Sequence, residues 1–268
     1  MKDKTKIIGI LNLTEDSFSD GGKYLDKNNA INHIKKIIKE GCKIIDIGAE
    51  STRLGFHDIS TDMQLKKMLP ILSEIKKINQ DIKISIDTRS SQVAEEALKE
   101  GASIVNDVSS GTYDQDMFDI VSKYNAEIIL THMPKEYLEQ KNIKSNNIIK
   151  DISNYFDEII KIAIAKGIKK ENIIIDPGIS FGKSGTDNIE ILKNVEYFVE
   201  KFERVCLGVS NKRFSSKIFK DIKDDDLKII SLTISTYAAF KNVEFLRVHD
   251  IDANQDAVDV AWKTINSL

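Results

Sequence analysis

Eight times along this chain a short run rich in isoleucine and valine gives way to a longer stretch with helical spacing. The runs fall at 6–10, 43–47, 83–86, 103–105, 127–130, 172–175, 204–209 and 244–248. They lack the polar alternation of a half-exposed strand, so they suit strands buried on both faces, as in parallel sheets. Helices are predicted near 28–40, 61–78, 90–100, 114–124, 148–167, 187–202, 226–241 and 253–266. Ser90, Asp114 and Asp187 stand where caps belong, and Gly41, Gly101 and Gly167 stand where glycine ends a helix. Strand and helix alternating this often, with no Pro/Gly/Ser-rich linker, predict an α/β fold, a (β/α)8 barrel forming one domain over 1–268. An open doubly wound sheet fits less well, because no GxGxxG follows the first strand.

Bulk properties narrow the classes. The net charge of −3 argues against a general nucleic-acid binder, and the lysines read mainly as solvated helix faces. No apolar run approaches the roughly 20 residues that span a bilayer. The basic, briefly apolar start MKDKTKIIGILNL meets Glu15 and Asp16 without a small-residue cleavage site, so no signal peptide is read. Cys42 and Cys206 belong to no CxxC or Cys/His cluster, which suits reduced packing residues in a cytoplasmic protein.

In a barrel of this kind chemistry gathers where strands end. All eight exits here are polar. They offer Asn12; Asp46, then Glu50 to Arg53; Asp87; Asn106 and Asp107; Thr131 and His132; Asp176, then Phe181 to Lys183; Ser210 to Arg213; and Arg247 to Asp250. Any single one is explained by a turn or a cap. Together they have a chemical shape. Asp87, Asn106 and Asp176 supply acceptors and an amide for a flat heterocycle with adjacent N–H donors, such as an aminopyrimidinone, because a buried carboxylate needs donors. Lys212 can meet that ring's acceptor edge. Arg53, Arg247 and His249 suit phosphate oxygens. Asn12 suits a Mg2+ ion that keeps most of its waters beside phosphates.

Motifs spread over nearly the whole chain carry a resemblance. ILNLTEDSFSDGG, DIGAESTRLG, SIDTRSSQVAEEALKEGASIVNDVSSG, THM, DPGISFGKSGTDNIEIL, LGVSNK and LRVHD occur in that order. In order and spacing the chain resembles the dihydropteroate synthase family of the folate pathway. The resemblance implies a (β/α)8 barrel that condenses 7,8-dihydropterin-6-ylmethyl diphosphate with para-aminobenzoate and releases pyrophosphate. It implies a pterin pocket of Asp87, Asn106, Asp176 and Lys212, and a diphosphate and Mg2+ group of Asn12, Arg247 and His249. Thr52, Arg53, Phe181 and Ser210 would surround aminobenzoate and the leaving group. Segments 14–22, with Phe18, and 51–60 would be lids that close over the site. The implied chemistry is dissociative: the C–O bond to diphosphate breaks before the amine attacks. No strong protein nucleophile is needed, consistent with the lack of a GxSxG elbow and of a cysteine beside a base.

The sequence departs from the usual family pattern at Glu15, at Ala49 and Leu54 in the second lid, at Asn211, and after THM, where Pro134 follows without the customary glycine. These changes lie toward aminobenzoate and predict altered sulfonamide affinity. The rival functions are a pterin-dependent methyltransferase, a non-catalytic pterin binder and an unrelated phosphate-handling barrel, which would not need Asp87, Asn106 and Asp176 together. His33 reads as surface or packing, His57 as a bystander or gate, Trp262 with Val258 and Ile265 as core, and Asp224 to Asp226 as a charged helix start. The helix LKIISLTISTYAAF is apolar almost all round, which suits burial between its barrel neighbours or a homodimer interface; the resemblance favours a homodimer, through the last two helices.

Overall fold

A computed structural model of the chain describes residues 3–13, 27–50, 59–134, 137, 145–210 and 223–266. In chain order its elements are β1 (Lys6–Asn12), α1 (Lys27–Lys39), β2 (Ile44–Gly48), α2 (Thr61–Ile78), β3 (Lys83–Asp87), α3 (Ser91–Lys99), β4 (Ile104–Asp107), α4 (Met117–Lys123), β5 (Glu127–Thr131), α5 (Ile148–Ala165), β6 (Ile173–Asp176), α6 (Gly185–Lys193), α7 (Val195–Phe202), β7 (Cys206–Gly208), α8 (Asp224–Phe240), β8 (Phe245–Val248) and α9 (Ile251–Asn266). The eight strands form one sheet in the order β6-β5-β4-β3-β2-β1-β8-β7, the order of the predicted (β/α)8 barrel. The chain groups into two compact units, Ile8–Leu130 with Ile162–Ile173, and Met1–Ile7 with Thr131–Lys161 and Ile174–Leu268.

In the first unit every residue of β2 and β4 is buried, as strands covered on both faces should be. The parallel register sets Asn12 beside Gly48, Gly48 beside Asp87, and Asp87 beside Asn106. Helix ends follow local chemistry. Gly41, Gly101 and Gly167 take φ values of 88°, 93° and 93°. At each, paired backbone bonds close the last turn, for example Gly41 N to Ile38 O at 3.0 Å and Cys42 N to Ile37 O at 3.1 Å. The Ser90 hydroxyl accepts from the Val93 N–H and caps α3. Asp114 is not the cap predicted for the next helix, which starts at Met117. Its carboxylate accepts instead from Ser91 N at 2.7 Å and Asp116 N at 3.1 Å, tying a turn to the start of α3.

In the second unit β6 is wholly buried, and β7 pairs with β8 in parallel, Gly208 beside Arg247. The stretch predicted as one helix over 187–202 is two. The Asn194 side chain donates to Glu190 O at 2.8 Å and its backbone leaves the helical region, so α6 stops there and α7 starts at Val195. The cap of α6 is Ser184, with Asp187 as its reciprocal partner three residues on, rather than Asp187 itself. Asp226 plays the same reciprocal part for Lys223 N at the start of α8. In α9 Val258 is buried, but Trp262 is only half-buried and Ile265 is exposed, so the predicted core trio is a core residue and an outer edge.

Both cysteines are buried thiols. Burial pushes the Cys42 thiol pKa up, and its S–H donates to Ile44 O at 3.0 Å.

Candidate functional site

Each unit carries polar side chains at the C-terminal ends of its strands. In the first unit Asn12 and Asp87 are the last residues of β1 and β3, and Asn106 is the penultimate residue of β4. All three share one rung of the sheet, with Gly48 between Asn12 and Asp87. A Cβ on Gly48 would meet the Asp87 Cβ at 3.1 Å. The glycine therefore lets the Asp87 side chain pack closely against the β2 backbone.

One rung deeper, Asp46 is fully buried and its Oδ2 accepts from Asn106 Nδ2 at 3.1 Å. Asp107, also buried, is a turn former: its carboxylate accepts from Ser109 N, Ser109 Oγ and Gly111 N at 2.6–2.8 Å. Burial raises its pKa, and those donors oppose the shift. Where β2 gives way to the next segment, Glu50 forms a bidentate pair with Arg89, at 3.1 Å to Nε and 2.9 Å to an outer nitrogen. The Arg89 guanidinium lies over the Tyr113 ring, 4.3 Å from its centroid.

In the second unit Asp176 ends β6, and its Oδ1 accepts from Gly178 N at 2.8 Å. Gly178 has φ +73°, and a Cβ there would lie 2.2 Å from His132 O. Only glycine fits that close approach. Lys183, 2% exposed, fastens the same loop: its ammonium donates to His132 O at 2.9 Å, Gly178 O at 2.8 Å and Phe181 O at 3.2 Å. Gly208 stands close enough that a Cβ there would lie 3.5 Å from Asp176 Oδ2, and across Gly208 in register is Arg247. Ser210 Oγ lies 3.0 Å from His249 Nδ1 and accepts from His249 N at 3.3 Å, which orients the imidazole. Phe181 meets Tyr137 edge to face, with centroids 5.9 Å apart.

Not every polar exit joins these groups. His132 turns into the helical layer, edge-on to Tyr155 with centroids 5.0 Å apart. Its Nδ1 is buried with no hydrogen-bond partner among the described residues. Burial, aided by the Lys183 charge, pushes its pKa down to about 2, so it is neutral and no base. His33 is half-buried, and burial lowers its pKa too.

Phe18, Thr52, Arg53 and Lys212 lie outside the described residues, as do Glu15, Leu54, His57, Asn211 and most of both proposed lids. Sequence reasoning gave no site role to Asp46, Lys183 or Tyr137. The signal for Asp46 was one acid inside the run KIIDI; Tyr137 had none, lying in a stretch without periodicity.

The described residues contain no group of three or more His, Cys, Asp or Glu side chains able to hold a metal. They also contain no helix long and apolar enough to cross a membrane. A groove of about 470 Å³, lined by Asn147, Lys150, Asn154, Asn194 and Lys201 among others, includes none of the strand-end residues.

Residues 8–249 match the family described as pterin binding enzyme. The chain is 39% identical over 255 residues to a dihydropteroate synthase of Streptococcus pyogenes, covering 95% of this chain and 93% of that one. It is similar to the dihydropteroate synthase of Anaplasma phagocytophilum solved with bound 6-hydroxymethylpterin-monophosphate, with TM-score 0.88 and 34% identity over 98% of this chain and 100% of that one. It is also similar to the Xanthomonas albilineans dihydropteroate synthase solved with 4-aminobenzoic acid, with TM-score 0.91 and 29% identity over 99% and 94%.

Proposed function

The chain belongs to the pterin-binding enzyme family, among the dihydropteroate synthases, and we propose that it joins 7,8-dihydropterin-6-ylmethyl diphosphate to para-aminobenzoate, giving 7,8-dihydropteroate and pyrophosphate. The observation that carries this reading is the strand-end chemistry: acceptors at Asp87, Asn106 and Asp176, with the two acids packed beside the glycines at 48 and 208. Those acceptors take the N–H donors of the pterin ring, and Lys212 meets its acceptor edge. Arg53, Arg247 and His249 hold the departing diphosphate, His249 in the orientation its Ser210 contact gives it. Thr52, Ser210 and Phe181 border the aminobenzoate, with Phe18 on the first lid. No residue here need attack carbon. Stabilised negative charge and excluded water suffice for a dissociative substitution.

Mg2+ fits as a ligand of the diphosphate rather than of a protein cage. Asn12 offers one half-buried amide at the end of β1, the sparse donor set of an ion that keeps its waters. When bound, the ion would neutralise charge on the diphosphate.

A second copy of the chain is the partner proposed for the outer face of α8 and α9. Ile229 is 64% exposed and Val260 62%, with Tyr237, Phe240 and Ile265 exposed beside them in sequence. Exposed apolar side chains on both helices are the support for that reading. Ile229→Glu is expected to yield monomer by light scattering; an unchanged dimer, or a wild-type monomer, would contradict it. A cytoplasmic location fits two buried thiols. Sulfonamides, as aminobenzoate mimics, are expected to inhibit, and a Leu54→Pro, Asn211→Arg variant to change their inhibition constants.

The test of the function is direct. Protein, Mg2+, the pterin diphosphate and para-aminobenzoate are mixed, and pyrophosphate and dihydropteroate are followed. Both products should appear in equal amounts. Pterin binding without turnover would instead mark a non-catalytic binder.

A further inference from the structure

Asp46 is an acid where a buried strand has no need of one. Ile44, Ile45 and Ile47 surround it in β2, and it is wholly buried with them. Burying a carboxylate is costly unless donors meet it. The register explains where its donor comes from. Asp46 pairs with Ser85, and Asn106 pairs with Asp87, two residues further along β3. Side chains two apart on a strand share a face, so Asp46 lies one layer beneath Asn106 on the same side of the sheet. The Asn106 Nδ2 donates down to Asp46 Oδ2 at 3.1 Å.

An amide has one donating end and one accepting end, and a carboxylate only accepts. By engaging an N–H of the amide, Asp46 holds the nitrogen on its own side and leaves the Asn106 oxygen directed away from the acid. We propose that Asp46 is a positioning residue: it fixes the Asn106 amide so that the pocket presents an acceptor, not a donor, and thereby selects a ring edge made of N–H groups. The inference rests on the pterin-binding reading above and adds to it a reason for ligand choice that lies outside the contact layer.

The experiment is a double-mutant cycle read by calorimetric titration with 6-hydroxymethylpterin, using Asp46→Asn, Asn106→Ala and the pair. Asn106→Ala should weaken binding about tenfold, the loss of one good hydrogen bond to a buried ligand. Asp46→Asn, which no longer dictates the amide's orientation, should also weaken it about tenfold in the natural background, but less than about twofold once Asn106 is already alanine. In steady state Asp46→Asn should raise KM for the pterin diphosphate and leave KM for para-aminobenzoate unchanged, a split that general loosening of the fold would not produce. Independent, additive losses in the cycle would overturn the proposal. If Asn106→Ala binds pterin as well as the natural chain, the pocket assignment itself fails, a different result. Should Asp46→Asn not fold, the unsubstituted protein still decides. Its Asn106 side-chain amide protons, followed in 15N-asparagine-labelled protein, should exchange slowly and shift little when pterin binds; a large ligand-induced shift would show that the NH2 faces the ligand.

Discussion

In one unit a buried carboxylate, Asp46, meets the amide of Asn106; in the other a buried ammonium, Lys183, meets three backbone carbonyls. Both charges support strand-end residues, but their partners differ in kind. Asp46 acts on a side chain proposed to touch the ligand, so its effect belongs to affinity. Lys183 acts on the path of the chain from Gly178 to Phe181 and on its approach to His132, so its effect belongs first to folding. Buried charge alone therefore does not tell whether a residue serves binding or architecture; the partner does.

The sharpest way to break that distinction is Lys183→Met. It keeps most of the volume but takes a charged donor from three carbonyls, of which Gly178 O keeps its bond from Phe181 N at 3.2 Å; a hydrogen bond to a charged group contributes about 1.5–3 kcal/mol. Urea unfolding should show a loss of at least about 3 kcal/mol, against under about 2 kcal/mol for Asp46→Asn. Equal losses would erase the contrast.

His132, in the same unit, gives a pH test. It titrates near 6.5 when unfolded and about 2 when folded, so between those values the unfolded chain binds more protons. Stability contributed by the neutral ring is present above pH 6.5 and falls as pH drops, by up to about 1.4 kcal/mol per unit. His132→Phe should flatten that acid limb in unfolding curves taken from about pH 7 to about pH 4.5. An unchanged slope would mean that the ring is not held neutral.

The two glycines make the smallest and finest comparison. A methyl at Gly48 meets Asp87 Cβ at 3.1 Å and must displace it, whereas one at Gly208 meets Asp176 Oδ2 at an ordinary 3.5 Å. Gly48→Ala should therefore weaken pterin binding severalfold, and Gly208→Ala less. The reverse order would show that Gly208, not Gly48, borders the ring.

The fold was legible because the βα rhythm and the helix-ending glycines are local signals. The placement of Asn12, Asp87 and Asp176 at strand ends was legible too, since each closes its apolar run. Asp114 and Asp187 were misread by one layer of turn chemistry. Both are acids near a helix start, but each accepts from a neighbouring segment or cap instead of capping alone. Lys183 and Asp46 reach partners 51 and 60 residues away, which no local pattern encodes. The break at Asn194 depends on a side chain folding back on Glu190 O, and a helical hydrophobic pattern runs straight through it.

Asp87 and Asp176 are both proposed to serve the pterin, and on that the whole functional reading turns. Calorimetric titration of 6-hydroxymethylpterin into Asp87→Asn and Asp176→Asn tests it most directly. Each charged hydrogen bond is worth about 1.5–3 kcal/mol, so each variant should bind at least about tenfold more weakly with its fold intact. Unaltered affinity in either one, alongside a native unfolding curve, would contradict the assignment.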